Sequence, residues 1–405
     1  MGIRFHMQVG NSPLTAQAPT ATTPLIPAGP PPDLRLIPAG PPPDLRLIPA
    51  GPPFAKWKRG SAGYRDLPPN RPHFYPRVTK ETNRPHFYPR TSSIFLHSKD
   101  LNVRNLELRR LDNSQSTVSE TDVLEVRLQD DAVLEPNRSY SLIAEFEGQL
   151  ANDLTGFYTS TYEVKKNNDT RYVGATQMAA TEARRVFPCF DEPNLKAEFR
   201  LTLIHRQGTS ALGNWPKQGT SGFEIEIDGE KWTVTELRST RKMSTYLVAF
   251  VVFDFDYTGG KDLKVNIKVW ARPEAIAAGH AKYAETVTPK ILNFYEMEFG
   301  INYPVSKLDQ IALPDLVLAG MENWGLITYH ESALLFVEGV SSTFDKEYIA
   351  TLITHELAHQ WFGNLVTMEW WKDLWLSEGF ATFMSYQGLN HLEPTWNAEA
   401  LFVVD

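Results

Sequence analysis

The residues best placed to do chemistry are His355, Glu356 and His359, in the string His355-Glu356-Leu357-Ala358-His359. Glu378 follows His359 after an 18-residue gap. Two histidines four apart on a helix lie on one face, one turn above the other, so both reach the same metal ion. A catalytic zinc takes three protein ligands and keeps a further position open. His355, His359 and Glu378 supply that number, and Glu356 is placed to accept a proton from water.

The surrounding sequence predicts the elements that must hold these groups. Ser342-Thr343-Phe344-Asp345 has the form of a capping box. Apolar Ile349, Leu352, Ile353, Trp361 and Phe362 follow at roughly helical spacing, and Gly363-Asn364 is a C-terminal stop signal. A second helix is expected from about Asp373 to Gln387, with Glu378 in an early turn. Two helices joined by a turn return the third ligand to the first two. Trp361, Phe362, Trp370, Trp371 and Trp375 are expected in the core rather than at a substrate.

A second constellation, Ala319-Gly320-Met321-Glu322-Asn323-Trp324-Gly325, lies upstream. It resembles the G-A-M-E-N-W-G signature of zinc aminopeptidases of the aminopeptidase N type, with the first two residues exchanged. The resemblance extends through HELAHQWFGNLVTME from His355, WWKDLWLSEGFA from Trp370, FPCFDEP from Phe187 and YLVAFVV from Tyr246. It covers about Thr91 to Asp405, and Trp270-Ala271-Arg272-Pro273 is similar to the close of that family's first domain. Tyr329-His330-Glu331 departs from the family's Y-R-E.

That resemblance implies a zinc-dependent aminopeptidase using one zinc ion. His355, His359 and Glu378 would bind the metal, and Glu356 would be the catalytic base. Glu322 would anchor the substrate's α-amino group, and the backbone of Ala319, Gly320, Met321, Glu322 and Asn323 would bind the peptide as an added strand. A carboxylate paired with an ammonium fixes the scissile bond one residue from the chain end. The implied partners are peptides with a free N-terminus, with a homodimer also suggested by the resemblance. The implied location is the plasma membrane or the extracellular space.

Two departures bear on activity. Ala179 stands where the family has a glutamine or glutamate that accepts a hydrogen bond from the substrate amine, so weaker anchoring by Glu322 and Glu378 alone is expected, the alternative being local substitution by Gln177 or Glu182. The family's oxyanion-stabilising tyrosine lies well beyond the third ligand, whereas this sequence ends 27 residues after Glu378. Against the family the sequence reads as incomplete at both ends. These departures leave open an alternative, a catalytically inactive aminopeptidase-like binding protein. A further alternative, an epoxide hydrolase, fits the motifs less well.

The fold expected is α+β and multidomain. Residues 1–90 hold 20 of the 29 prolines, with LIPAGPPPDLR repeated and the octamer NRPHFYPR occurring twice. Such proline density predicts an extended, mostly disordered segment or a rearranged gene model. Residues 91–272 carry short β-rich runs at Ser93–His97, Val123–Val126, Ser141–Ala144 and Tyr246–Phe253, read as an all-β sheet domain. Residues 273–405 turn helical, with a helix over Ala281–Glu298 and strands over Leu308–Leu318 and Leu326–Tyr329. By resemblance they form a thermolysin-like α/β catalytic domain.

The net charge is −8, divided as +8 over residues 1–90 and −16 over the remainder. An acidic catalytic part suits a cationic N-terminus and argues against nucleic acid. The single cysteine, Cys189, excludes an intramolecular disulfide. Asn137-Arg138-Ser139 and Asn168-Asp169-Thr170 are glycosylation sequons if the chain is secreted. No apolar run of about 18 residues encodes a membrane helix, and no signal peptide is recognisable.

Overall fold

The computed structural model describes residues 2–6, 77–82, 92–109, 114–118, 122–128, 132–134, 140–164, 168–219, 221–260 and 264–404. The proline-rich repeats, and with them the reading of that segment as extended, lie outside the described residues. Two strands do fall within residues 1–90, in stretches that contain no proline. Gly2–His6 pairs antiparallel with Arg200–Arg206, and Arg77–Thr82 pairs antiparallel with Tyr140–Glu147.

The β-rich half builds four sheets among the described residues. Ser93–His97, Val123–Leu128 and Ser114–Val118 form one, and Arg77–Thr82, Tyr140–Glu147 and Asn102–Arg109 another. Ser93–His97 alternates between core and surface, with Ile94 and Leu96 buried beneath exposed Phe95, as a half-buried strand must. A third sheet orders Ser210–Gly213, Phe250–Phe253, Asp169–Gln177 and Gly156–Val164. Here the expected strand over Tyr246–Phe253 is divided: Thr245–Leu247 is a 3₁₀ turn, and the strand begins at Phe250. All four residues Phe250–Phe253 are buried, so periodicity could not separate turn from strand within that apolar run.

The helical half is built on a five-stranded mixed sheet ordered Asp256–Gly259, Asn266–Ala271, Lys307–Leu313, Leu326–His330 and Gly320–Met321. Asn266–Ala271 runs parallel to Lys307–Leu313, which needs a crossover, and helix α2 (Lys282–Phe299), preceded by short helix α1 (Pro273–Ala277), lies in that connection. The sheet therefore begins upstream of Arg272, where the sequence marks the close of the first domain. The strand expected over Leu308–Leu318 stops at Leu313, followed at once by Pro314. Gly320–Met321 is one of the two edge strands, paired among the described residues with Leu326–His330 alone.

Three further helices complete this half: α3 (Thr343–Ala358), α4 (Leu374–Leu392) and α5 (Ala398–Val404). The Tyr295 hydroxyl on α2 lies 3.0 Å from Thr354 O on α3 and 2.8 Å from Met384 O on α4, tying the three together. Gly388 is glycine because that hydroxyl occupies the space a Cβ would need. One apolar core runs through both halves, from Phe146, Phe187 and Phe250 to Tyr295, Ile353 and Trp361. The sheet half thus buttresses the helices directly. Among the described residues no helix is long and apolar enough to cross a membrane.

Candidate active site

The capping box forms as its residues predict. Ser342 Oγ accepts from Asp345 N at 3.1 Å, and Asp345 Oδ2 accepts from Ser342 N at 2.7 Å. This fixes the start of α3 and hence the turn on which His355, Glu356 and His359 stand. The helix ends at Ala358, five residues before the Gly363-Asn364 stop signal. The chain then turns tightly, with Gly363 at φ 112° packed against Ser377 Oγ, where a side chain would both strain the backbone and collide. A 3₁₀ turn, Trp371–Asp373, leads into α4, which carries Glu378 back to the histidines.

The three expected ligands converge. Their donor atoms all lie within 4.8 Å of one another. His355 Nε2 and His359 Nε2 are 2.9 Å apart, and Glu378 Oε2 is 3.5 Å from each. His359 Nδ1 stands 2.9 Å from Phe362 O. A carbonyl only accepts, so Nδ1 carries the proton there and Nε2 is the ring atom left to face the cluster. Ser377 Oγ also donates to Phe362 O at 3.1 Å, supporting the same corner. Anchoring the far nitrogen of a ligating imidazole is the usual way to fix its tautomer and angle.

The electrostatics attract a cation to this point. Burial opposes the charged form of His359, but Glu322, Glu378 and Glu356 outweigh it and push the imidazole up to about 10. Burial holds His355 below its ordinary value despite the opposing pull of Glu378. Burial also works against ionising Glu378, yet hydrogen bonds from the two histidines keep it well below the usual carboxylate range. Glu356 moves the other way: desolvation lifts its pKa well above the ordinary value, with Glu322 and Glu378 adding to the lift against the pull of His359. Its Oε2 is buried and has no hydrogen-bond partner. A buried carboxyl with raised pKa beside two imidazoles suits a group that must take and return a proton.

The upstream motif sits against the same helix. Glu322 and Asn323 are buried, and Met321 is 2% exposed. Glu356 lies where a Cβ on Gly320 would go. The sequence leaves open which glycine of the motif adopts positive φ. That residue is Gly325, at φ 82°, with Asn214 O too close to admit a side chain, and Gly320 serves close approach instead. Asn323 Nδ2 donates to Thr328 Oγ1 at 3.3 Å, closing the loop between the two strands. Ala319 passes its carbonyl to His330 N at 3.0 Å.

Of the two local substitutes for Ala179, Gln177 adjoins the motif: its Nε2 is 3.4 Å from Met321 Sδ, and its Oε1 is buried without a partner. Glu182 instead pairs with Arg185 at 3.3 Å. At the altered Tyr329-His330-Glu331 string, His330 Nδ1 meets Ser332 Oγ at 2.8 Å, while Arg272 grips both oxygens of Glu331.

Two of the five aromatic residues expected in the core are on the surface. Trp370 is 44% and Trp375 66% exposed, whereas Trp361 is 3% exposed. Trp370 precedes the 3₁₀ turn, and Trp375 lies in the first turn of α4. Gln360, which sequence reading passed over, and Asn364, read only as part of a stop signal, are both fully buried and contact the motif loop. The available signal was the spacing: Gln360 is four residues after Glu356, one turn on and just past the end of α3.

Comparison with known proteins identifies the family. The family model described as Peptidase M1 N-terminal domain matches residues 69–247, and Peptidase family M1 domain matches residues 283–405. The chain belongs to the M1 peptidase family. It is 46% identical to human Aminopeptidase N over 352 residues, covering 84% of this chain and 36% of that protein. Aminopeptidase Ey of Gallus gallus is 44% identical over 325 residues, 78% of this chain and 33% of that protein. Aminopeptidase 2, mitochondrial, of Saccharomyces cerevisiae is 44% identical over 262 residues, 64% of this chain and 27% of that protein. The chain thus spans about a third of the length of these curated relatives. The family matches agree with the α+β, multidomain architecture, an N-terminal β-sheet part followed by a mixed catalytic part.

Proposed function

We propose that this protein is a zinc-dependent aminopeptidase that releases N-terminal residues from peptides. The observation carrying the proposal is the convergence of two imidazole nitrogens and a carboxylate oxygen within 4.8 Å beside the buried, unpartnered Glu356 carboxyl. The donor set suits a resident zinc ion: two imidazoles and one carboxylate leave a position open, as catalytic zinc requires. Bound there, zinc would act as a Lewis acid that polarises the scissile carbonyl and acidifies water.

The remaining roles fall to the chain itself. Glu356 accepts the proton of the attacking water at its free carboxylate oxygen and delivers it to the departing amine. Glu322, whose charge is felt by both histidines and by Glu356, anchors the substrate ammonium. The edge strand Gly320–Met321 has one side unpaired by the sheet, and an extended peptide added there would register its first bond against Glu356. With Ala179 unable to accept a hydrogen bond, the ammonium relies on Glu322, with Glu378 assisting. Substitution Glu356→Ala tests the assignment. It should leave zinc stoichiometry at one and remove nearly all turnover of an unblocked leucyl anilide; unchanged turnover would take Glu356 out of the reaction.

A further inference from the structure

We propose that Gln360 and Asn364 are positioning residues that set where Glu322 stands relative to the metal ligands, and so enforce selection for a free N-terminus. The inference rests on the aminopeptidase reading above. The backbone carbonyl of Glu322 accepts two side-chain hydrogen bonds, from Gln360 Nε2 at 3.1 Å and from Asn364 Nδ2 at 2.8 Å. Both donors come from the segment immediately after His359. Gln360 Nε2 also donates to Glu356 O at 3.1 Å, and Gln360 Oε1 accepts from Gly325 N at 3.4 Å. One amide therefore spans both ends of the Glu322–Gly325 loop and the backbone of the catalytic base.

The clip is buried and held from both sides of the loop, with Asn364 Oδ1 the one side-chain polar atom of the pair left without a partner. Gln360 and Asn364 are each 0% exposed, so water cannot replace their bonds. Lys196 Nζ donates to Asn364 O and Leu365 O at 3.1 Å each, holding the Asn364 backbone from the sheet half. Asn214 Nδ2 donates to Trp324 O at 2.9 Å, and Lys307 Nζ to Gly325 O at 2.7 Å, fixing the far side of the loop. Within the network Glu322 is the group assigned to substrate, and Gln360 and Asn364 act on it through its backbone carbonyl. The network's effect is to make the amine anchor and the ligand-bearing turn a single rigid unit. Misplacing a binding group by about 1 Å can cost on the order of 100-fold in a reaction that depends on alignment.

The test measures binding of leucinol and of N-acetylleucinol, which lack the hydrolysable amide after leucine, to the zinc-loaded full chain by calorimetry. The two ligands differ in the ammonium that Glu322 would bind. In Gln360→Met, which keeps the side-chain length and loses every hydrogen bond, the preference for the free amine should fall at least tenfold. Zinc stoichiometry and affinity for the acetylated ligand should hold. In a Glu322→Gln background the same substitution should cause no further fall, because the two residues act through one group. A preference unchanged in Gln360→Met, or affinities for both ligands reduced in parallel, would overturn the proposal. If Gln360→Met does not fold, Asn364→Ser, which keeps one hydroxyl donor, should lower the preference by a smaller factor, and an unchanged preference there would overturn it equally. A wild-type chain with no free-amine preference would instead refute the aminopeptidase reading, and the positioning role with it.

Discussion

The carboxylate of Glu356 fills the space that a Cβ on Gly320 would occupy. The residue assigned as base and the strand assigned to hold substrate are therefore in direct contact, and the glycine is what permits it. A bulky residue at 320 must drive the carboxylate aside or push the edge strand outward. Gly320→Val should lower turnover of an unblocked leucyl anilide about 100-fold, the scale of an ångström-sized misalignment. Zinc content should stay the same. Wild-type turnover in this variant would show that the contact plays no part in positioning Glu356.

Metal binding should stabilise the fold, since the three ligands join α3 to α4. A ligand that binds only the native state stabilises it by about 2.7 kcal/mol at 100 times its dissociation constant. Zinc should raise the melting temperature of the metal-free protein, and a chelator should reverse the rise. His359→Ala should abolish the shift. An equal shift in that variant would place the stabilising ion elsewhere.

The sheet half carries an acid-sensitive group of its own. His205 is 1% exposed, between Thr209 Oγ1 at 2.8 Å and Thr235 Oγ1 at 3.0 Å. Desolvation lowers its pKa to about 4. The unfolded chain then binds more protons than the native one between roughly pH 6.5 and pH 4, so stability rises with pH through this window and is lost as pH falls. The loss amounts to about 3 kcal/mol across the full interval. His205→Gln should show a smaller drop in urea midpoint between pH 7 and pH 4.5 than the wild type. Equal drops would show that His205 does not contribute to the acid limb.

Lys307 and Asp309 form a buried ion pair at 2.8 Å, with Trp270 Nε1 donating to the other carboxylate oxygen at 2.8 Å. Lys307 Nζ also holds Gly213 O at 2.6 Å. Removing one partner of such a pair strands the other charge, at about 3–5 kcal/mol. Lys307→Met should destabilise the protein by this order. Lys307→Met/Asp309→Leu should recover part of it, measured by chemical denaturation. A single variant as stable as the wild type would show the pair to be expendable.

The convergence of the candidate ligands was legible in the sequence because its parts are local: His355, Glu356 and His359 fall within about one turn, and Ser342 and Asp345 announce where the helix begins. The return of Glu378 was legible because α4 follows α3 after a short turn. The clip on Glu322 was not, since Gln360 and Asn364 reach a loop about forty residues upstream, and nothing in a polar residue type names a distant carbonyl as its partner. Trp370 and Trp375 misled for a related reason. Aromatic character predicts burial against something, and no described neighbour covers these two. The parallel strand at Asn266–Ala271 escaped because strand periodicity says nothing about which sheet a strand will join.

The central claim is tested most directly by comparing hydrolysis of leucyl p-nitroanilide with that of its N-acetyl derivative by the zinc-loaded protein. The account predicts release of nitroaniline from the unblocked substrate only, lost in both Glu356→Ala and Glu322→Ala with zinc retained in each. Equal rates on the two substrates would contradict the assignment of Glu322 as an amine anchor, and no hydrolysis of either by zinc-loaded protein would contradict the assignment of this chain as an aminopeptidase.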